Sequence, residues 1–331
     1  MPLTSPIPLP ARIGKYELVE YLGGGMAHVY RAQDTVLGRT VALKILTEHG
    51  NGNRELRERF LEEARTASNI SQDNIIAVYD FGEEGGRPFM VMEFLRGESL
   101  RDAMKGGRTG DIDYKLSCAL QIARALEYIH SRKIIHRDIK PENIHIDVRG
   151  KVKLMDFGIA KREGVELTRA GFTLGTPFYM APEQVMGKPP TNLVDVYAFG
   201  VMLVELISGE KPIQADSVEK IFDQILHQPL NLEPARAKGA PKPVLDLIAR
   251  CTAKNPAERP QTFAIVRQQI EQIQGAAQPP TIGSGQFTQQ SAVLTTPPSK
   301  LSQTWIIVFS AGGVVALVLI LFLLGRIFGL V

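Results

Sequence analysis

Ile134-Ile-His-Arg-Asp-Ile-Lys-Pro-Glu-Asn-Ile144 decides how this chain is read. A short apolar start leads into a polar loop with a carboxylate at Asp138, a lysine at Lys140 and an asparagine at Asn143. Such a mixture is costly to bury unless each group has a partner. Downstream, Lys151-Val-Lys-Leu-Met-Asp-Phe-Gly158 sets a second carboxylate, Asp156, at the end of an apolar strand, with a glycine to turn the chain. A solvated charged turn would not need apolar strands leading into both loops, so the two carboxylates read as parts of a site.

Upstream of these loops lie short runs with β character: Tyr16 to Leu22, Ala27 to Ala32, Thr40 to Leu46, Ile75 to Phe81 and Pro88 to Phe94. Helical periodicity dominates further along, where Leu116, Leu120, Ala123 and Leu126 form an amphipathic stripe. Strands followed by helices, with no internal repeat, predict an α+β chain with two lobes. In Val41-Ala-Leu-Lys-Ile-Leu46, alternation puts Ala42, Lys44 and Leu46 on one face and Val41, Leu43 and Ile45 on the other. A lysine with apolar neighbours on its own face needs an anion. In the following helix Leu56, Phe60, Glu63 and Ala67 share one stripe, so Glu63 points inward while Glu62 belongs with the exposed charges.

The two loops resemble the catalytic and metal-binding loops of protein kinases, and the pattern is similar to Ser/Thr kinases of the bacterial type from Gly14 to about Gln274. The resemblance implies a two-lobed kinase fold, with a β-rich N-lobe over residues 14–94 and a helical C-lobe over 95–274. It implies transfer of the γ-phosphoryl group of ATP to a protein hydroxyl, with Asp138 orienting the hydroxyl and accepting its proton and Lys140 meeting the γ-phosphate. Asn143 and Asp156 would hold Mg2+, or Mn2+ in its place, because a hard cation takes oxygen ligands. Lys44 would pair with Glu63 and the ATP phosphates. Main-chain groups of Glu93 and Leu95, with Met92 behind them, would meet adenine, and Ala42 lies on the Lys44 face. His145 stands where the family has an aliphatic floor under adenine, in a register that lets it stack on the base.

Thr173-Leu-Gly-Thr-Pro-Phe-Tyr-Met-Ala-Pro-Glu183 resembles the end of an activation segment. By that resemblance Thr176 lines the substrate site, and Arg137 receives a phosphate on Thr168 or Thr173, so that autophosphorylation orders the segment. Glu183 would pair with Arg259, and Asp195 would brace the catalytic loop. Lys140 and Thr176 fit the Ser/Thr class, and the Ala181-Pro-Glu183 segment points to protein substrates over small molecules. A pseudokinase scaffold is the rival reading, but Lys44, Glu63, Asp138, Asn143 and Asp156 are all present. The stretch Leu22-Gly-Gly-Gly-Met-Ala-His-Val-Tyr-Arg-Ala32 departs from the family's glycine loop: it is one residue short, and Ala27 stands at the third glycine position. Leu22, Gly23, Gly24, Gly25 and Val29 are still expected to cradle phosphates, with backbone N–H groups doing the binding.

The chain has 331 residues, 38 basic and 35 acidic, with a formal charge of +3 and no basic run that would track nucleic acid. Cys118 and Cys251 both fall in apolar helical segments and read as buried reduced thiols, suited to the cytosol. Residues 1–13 read as a proline-rich arm and 275–303 as a flexible linker rich in Gln, Pro, Thr, Ser and Gly. From Trp305 to Leu324 there is no charged residue, and that run gives a helix of roughly 30 Å, the thickness of the bilayer core. Residues 304–325 are therefore expected to be a transmembrane helix that contacts lipid, with a short tail at 326–331 too small for a folded sensor. The expected location is the cell (inner) membrane, single-pass, with the kinase domain cytoplasmic because ATP is there. Gly312 and Ala316, and likewise Gly325 and Gly329, sit one helical turn apart, which leaves room for a homodimer that phosphorylates itself in trans.

Overall fold

The computed structural model describes residues 6–156 and 177–277. Thr168, Thr173, Thr176, residues 278–303 of the expected linker and the expected transmembrane segment lie outside the described residues, while residues 275–277, expected in the linker, are the end of a helix. Among those described, no helix is long and apolar enough to cross a membrane.

The N-terminal part is a six-stranded antiparallel sheet. In chain order its strands are β1 (Ala11–Ile13), β2 (Tyr16–Gly24), β3 (Ala27–Asp34), β4 (Arg39–Leu46), β5 (Val78–Glu84) and β6 (Arg87–Glu93), arranged β1-β2-β3-β4-β6-β5. Two helices, α1 (Glu48–Gly52) and α2 (Arg54–Ser68), follow β4. The Asn53 side chain caps α2 by accepting from the N–H groups of Glu55 and Leu56 at 3.0 and 3.2 Å, which satisfies donors the helix itself cannot. A small sheet of β7 (Gly97–Ser99), β8 (Ile144–Asp147) and β9 (Val152–Leu154) lies below. The helical part comprises α3 (Leu100–Lys105), α4 (Ile112–Ser131), α5 (Pro182–Val185), α6 (Leu193–Ser208), α7 (Val218–His227), α8 (Glu233–Ala237), α9 (Lys242–Cys251) and α10 (Phe263–Ala277).

Alternation in β4 separates two cores. Val41, Leu43 and Ile45 join Tyr16, Leu18, Tyr30 and Val91 on the outer face, while Ala42 and Leu46 join Phe60, Ala64, Met90 and Met92 beneath α2. The large core is helical, with α4, α6, α9 and α10 packed together. In α6 every residue from Val194 to Ser208 is buried, as a nearly uninterrupted apolar sequence requires. Gly209 ends α6 in the left-handed region at φ 77°, and its N–H returns to the Glu205 carbonyl.

Two features differ from the sequence expectation. The strand expected over 75–81 begins at Val78: Ile75 instead bridges Leu154, and the Ile76 N–H donates to the Leu154 carbonyl at 3.0 Å. A continuous apolar run shows no period, so its partner could not be read from it. Ala11–Ile13, within the expected proline-rich arm, pairs with Tyr16–Leu18 and extends the sheet by one strand.

Candidate active site

Lys44 lies in mid-strand on β4, opposite Val29 of β3 and Met90 of β6. Its ammonium donates to Glu63 Oε1 at 3.0 Å and to Asp156 Oδ1 at 2.8 Å. Burial by itself pulls the lysine's pKa down, but the two carboxylates outweigh it and hold the group above its ordinary value. Asp156 is held below the carboxylate range, mainly by the charge of Lys44. Glu63 is pushed up by burial, against the opposing pull of Lys44. The inward phase of α2 therefore delivers Glu63 to Lys44, while Glu62 is exposed.

The second group is built on the loop between α4 and β8. Asp138 Oδ2 accepts from Lys140 Nζ at 2.8 Å and from Asn143 Nδ2 at 2.9 Å. Asn143 Nδ2 also donates to the Asp138 carbonyl at 2.8 Å, which folds the loop back upon itself. Asp195, fully buried near the start of α6, accepts the backbone N–H groups of His136 and Arg137, each at 2.8 Å, and meets His130 Nε2 at 2.8 Å. Arg137 takes φ 65°, a left-handed conformation that a non-glycine residue adopts only where its surroundings impose it. Asp195 is the observed brace.

The two groups are tied together through Met155. Its carbonyl is 3.1 Å from His136 Nε2 and its N–H donates to the Asn143 carbonyl at 2.8 Å, so Asp156 enters the site one residue later, at φ 48°. Asn143 directs its amide N–H groups to Asp138, which leaves its side-chain oxygen as an acceptor. Among the described residues no cluster of three or more His, Cys, Asp or Glu could hold a metal ion. A divalent cation held by Asn143 and Asp156 would take its remaining ligands from phosphate oxygens and water, the usual pattern for Mg2+. The donor set fits.

A cleft of about 630 Å³ opens between the sheet and the helical part. Leu22, Gly23, Gly24, Val29, Ala42, Lys44, Met92, Glu93, Leu95, His145 and Asp156 all line it, whereas Gly25 is not among its walls. The Glu93 N–H is already spent on the Ala77 carbonyl at 2.8 Å, so Glu93 would offer a ligand its carbonyl. At Gly24, φ is 149° and a Cβ would fall 2.0 Å from the Ala27 carbonyl oxygen, so the shortened hairpin tolerates only glycine there. Gly97 is similarly constrained, at φ 136° with a Cβ 2.2 Å from the Ile146 carbonyl. His145 sits on β8 opposite Ser99, and burial pushes its pKa below the ordinary histidine value, so the ring stands neutral at pH 7. Met90 also lines the cleft and was missed in the sequence reading; counting the β4–β6 register opposite Lys44 finds it.

A second groove of about 370 Å³ runs past Asp138, Lys140 and Asn143 to Phe178, Tyr179 and Arg137. Behind it Arg259 and Glu183 form a buried bidentate pair at 2.6 and 2.8 Å.

The sequence profile of the protein kinase domain matches residues 16–270. The chain belongs to the protein kinase family. This kinase domain is 38% identical over 256 residues to the serine/threonine-protein kinase PrkC of Bacillus subtilis, covering 75% of this chain and 39% of PrkC. It is 39% identical over 254 residues to the serine/threonine-protein kinase PknD of Mycobacterium tuberculosis, covering 75% of this chain and 38% of PknD. To PknA of the same species it is 35% identical over 276 residues, 81% of this chain and 63% of PknA. The chain thus spans less than two thirds of these relatives' lengths. Among solved structures, Rad53 1-466 in complex with AMP-PNP superposes on the kinase domain with a TM-score of 0.66 at 26% identity, covering 77% of this chain and 64% of that one.

Proposed function

We propose that the chain is a membrane-anchored serine/threonine protein kinase that moves the γ-phosphoryl group of ATP to protein hydroxyls. One observation carries this reading: Lys44 is bonded to both Glu63 and Asp156, and Met155, the residue before Asp156, is hydrogen-bonded through its N–H to Asn143 of the loop that also holds Asp138 and Lys140. Relatives named as serine/threonine kinases support it, as does the AMP-PNP complex of Rad53.

In this reading Lys44 orients the phosphates, and its two carboxylate partners keep its ammonium charged. Asp138 aligns the acceptor hydroxyl and takes its proton, while Lys140, already bonded to the same carboxylate, stands ready to balance charge on the moving phosphoryl group. Mg2+ or Mn2+ held by Asn143 and Asp156 supplies neutralisation of phosphate oxygens. Asp195 keeps Asp138 in place by fixing the two preceding N–H groups. Thr168, Thr173 and Thr176 take the roles that the resemblance implies, with phosphorylation of the segment in trans activating the site through Arg137. The uncharged run from Trp305 to Leu324 anchors the chain in the cell membrane with the kinase domain in the cytoplasm.

The test is transfer of labelled phosphate from ATP with Mg2+ to the chain itself and to generic Ser/Thr substrates. The wild type should label both and Asp138→Asn neither; a wild type as silent as Asp138→Asn overturns the kinase reading. Mass spectrometry of the same samples should find phosphate on Thr168 or Thr173. Release of the intact chain from membranes by alkaline extraction would overturn the anchor.

A further inference from the structure

The groove in front of Asp138 has a wall that the catalytic reading does not use. Arg101, on the first turn of α3, directs its Nε to Glu142 Oε1 at 2.8 Å and its two terminal nitrogens to the carboxylate of Glu205 on α6. Its Nη2 also donates to the Tyr179 hydroxyl at 2.6 Å, and that hydroxyl in turn donates to Glu205. Arg101, Glu142 and Tyr179 line the same groove as Asp138 and Lys140. The Arg101 side chain is 14% exposed and that of Glu205 only 1%.

Two carboxylates from separate elements thus converge beside the catalytic aspartate, and one of them is wholly out of water. Left alone, a buried carboxylate of this kind would demand a cation, and the nearest mobile source is a peptide lying in the groove. The chain meets the demand itself, with a planar guanidinium that matches carboxylate geometry. We propose that Arg101 is a specificity-determining residue: it fills from within a carboxylate site that would otherwise select a basic residue close to the phosphorylated hydroxyl of the substrate. The inference rests on the phosphoryl-transfer reading above. Wild type therefore discriminates little between peptides with and without arginine near the acceptor, whereas losing the Arg101 guanidinium opens the site to a substrate cation.

The experiment is a positional scan with the full chain. Arginine or alanine is placed in turn at each of the five positions on either side of a Ser/Thr acceptor, and kcat/KM is measured for wild type, Arg101→Ala and Arg101→Met. Wild type should treat the two residues alike within about threefold at every position. The variants should gain about tenfold or more for arginine at one register, seen mainly as a lower KM, which is the size of one charge-assisted hydrogen bond. Adding Glu205→Gln to Arg101→Met should abolish the gain. Met preserves most of the side-chain stem, so it carries the test if Ala unfolds the domain; a circular-dichroism melt identifies that case. Variants that fold, phosphorylate the alanine peptides and show no arginine register overturn the proposal, leaving Arg101 as a structural tie. A strong arginine preference in wild type overturns it without any variant. A wild type that phosphorylates no peptide and not itself overturns the kinase reading, and this inference with it.

Discussion

Replacing Glu183 by leucine should unfold the kinase domain more readily than any surface change, and the reason can be counted. Arg259 is 2% exposed, and each of its five N–H donors has an acceptor. Nε donates to the Ala253 carbonyl, one terminal nitrogen to Glu183 and Leu193, and the other to Glu183 and Lys254. Glu183→Leu strips two acceptors and, among the described residues, the sole carboxylate within bonding distance, leaving a buried cation among three carbonyls. Breaking a buried pair from one side costs about 3–5 kcal/mol. For a domain of this size that corresponds to a fall in Tm of about 6–20 °C. Urea unfolding followed by circular dichroism at 222 nm measures the loss. The double variant Glu183→Leu/Arg259→Met removes the cation together with its partner and should be less destabilised than the sum of the singles by at least about 2 kcal/mol. Singles that add within about 0.5 kcal/mol, or a Glu183→Leu protein within about 1 kcal/mol of wild type, would show that the pair is not what holds α5 to the loop before α10.

Other substitutions separate local roles. Lys44→Met removes the charge that holds Asp156 below the carboxylate range and should cut phosphate transfer by about a hundredfold or more while the domain still melts cooperatively; transfer within tenfold of wild type would contradict it. Gly24→Ala should raise the KM for ATP about tenfold, since a Cβ cannot fit 2.0 Å from the Ala27 oxygen, whereas Gly25→Ala, with open space around it, should stay near wild type. Burial, reinforced by Arg259, draws the Lys254 ammonium down from 10.5 to about 8. The unfolded chain then binds the extra proton between those values, so this group makes stability rise as pH climbs from about 8 toward 10.5. Urea midpoints at pH 7.5 and 9.5 should differ in wild type by a margin that Lys254→Met removes; an unchanged margin would refute the assignment.

Where the sequence was legible, a period or a neighbour carried the information. The two faces of β4 follow from strict alternation, and they enter two separate cores. Glu63 could be chosen over Glu62 because a helix repeats every 3.6 residues and only one of the two falls on the apolar stripe. Asp138, Lys140 and Asn143 are linked within a span of six residues, so their hydrogen bonds are local. The groups that escaped are joined across long separations by side chains with no periodic context. Arg101 meets Glu142 and Glu205 across 41 and 104 positions, and nothing near it in sequence marks it as different from other helical arginines. The Lys44–Asp156 bond likewise spans 112 positions, and only the family resemblance placed both residues in one site. The strand that begins at Val78 was misplaced for a related reason: Ile75, Ile76 and Val78 are equally apolar, so the choice between β6 and β9 as partner is made by tertiary packing. Periodicity therefore reports which face of an element is buried, but what that face meets depends on closure of the whole chain. This asymmetry explains why the catalytic loop could be read from eleven consecutive residues while the wall that would set peptide preference could not.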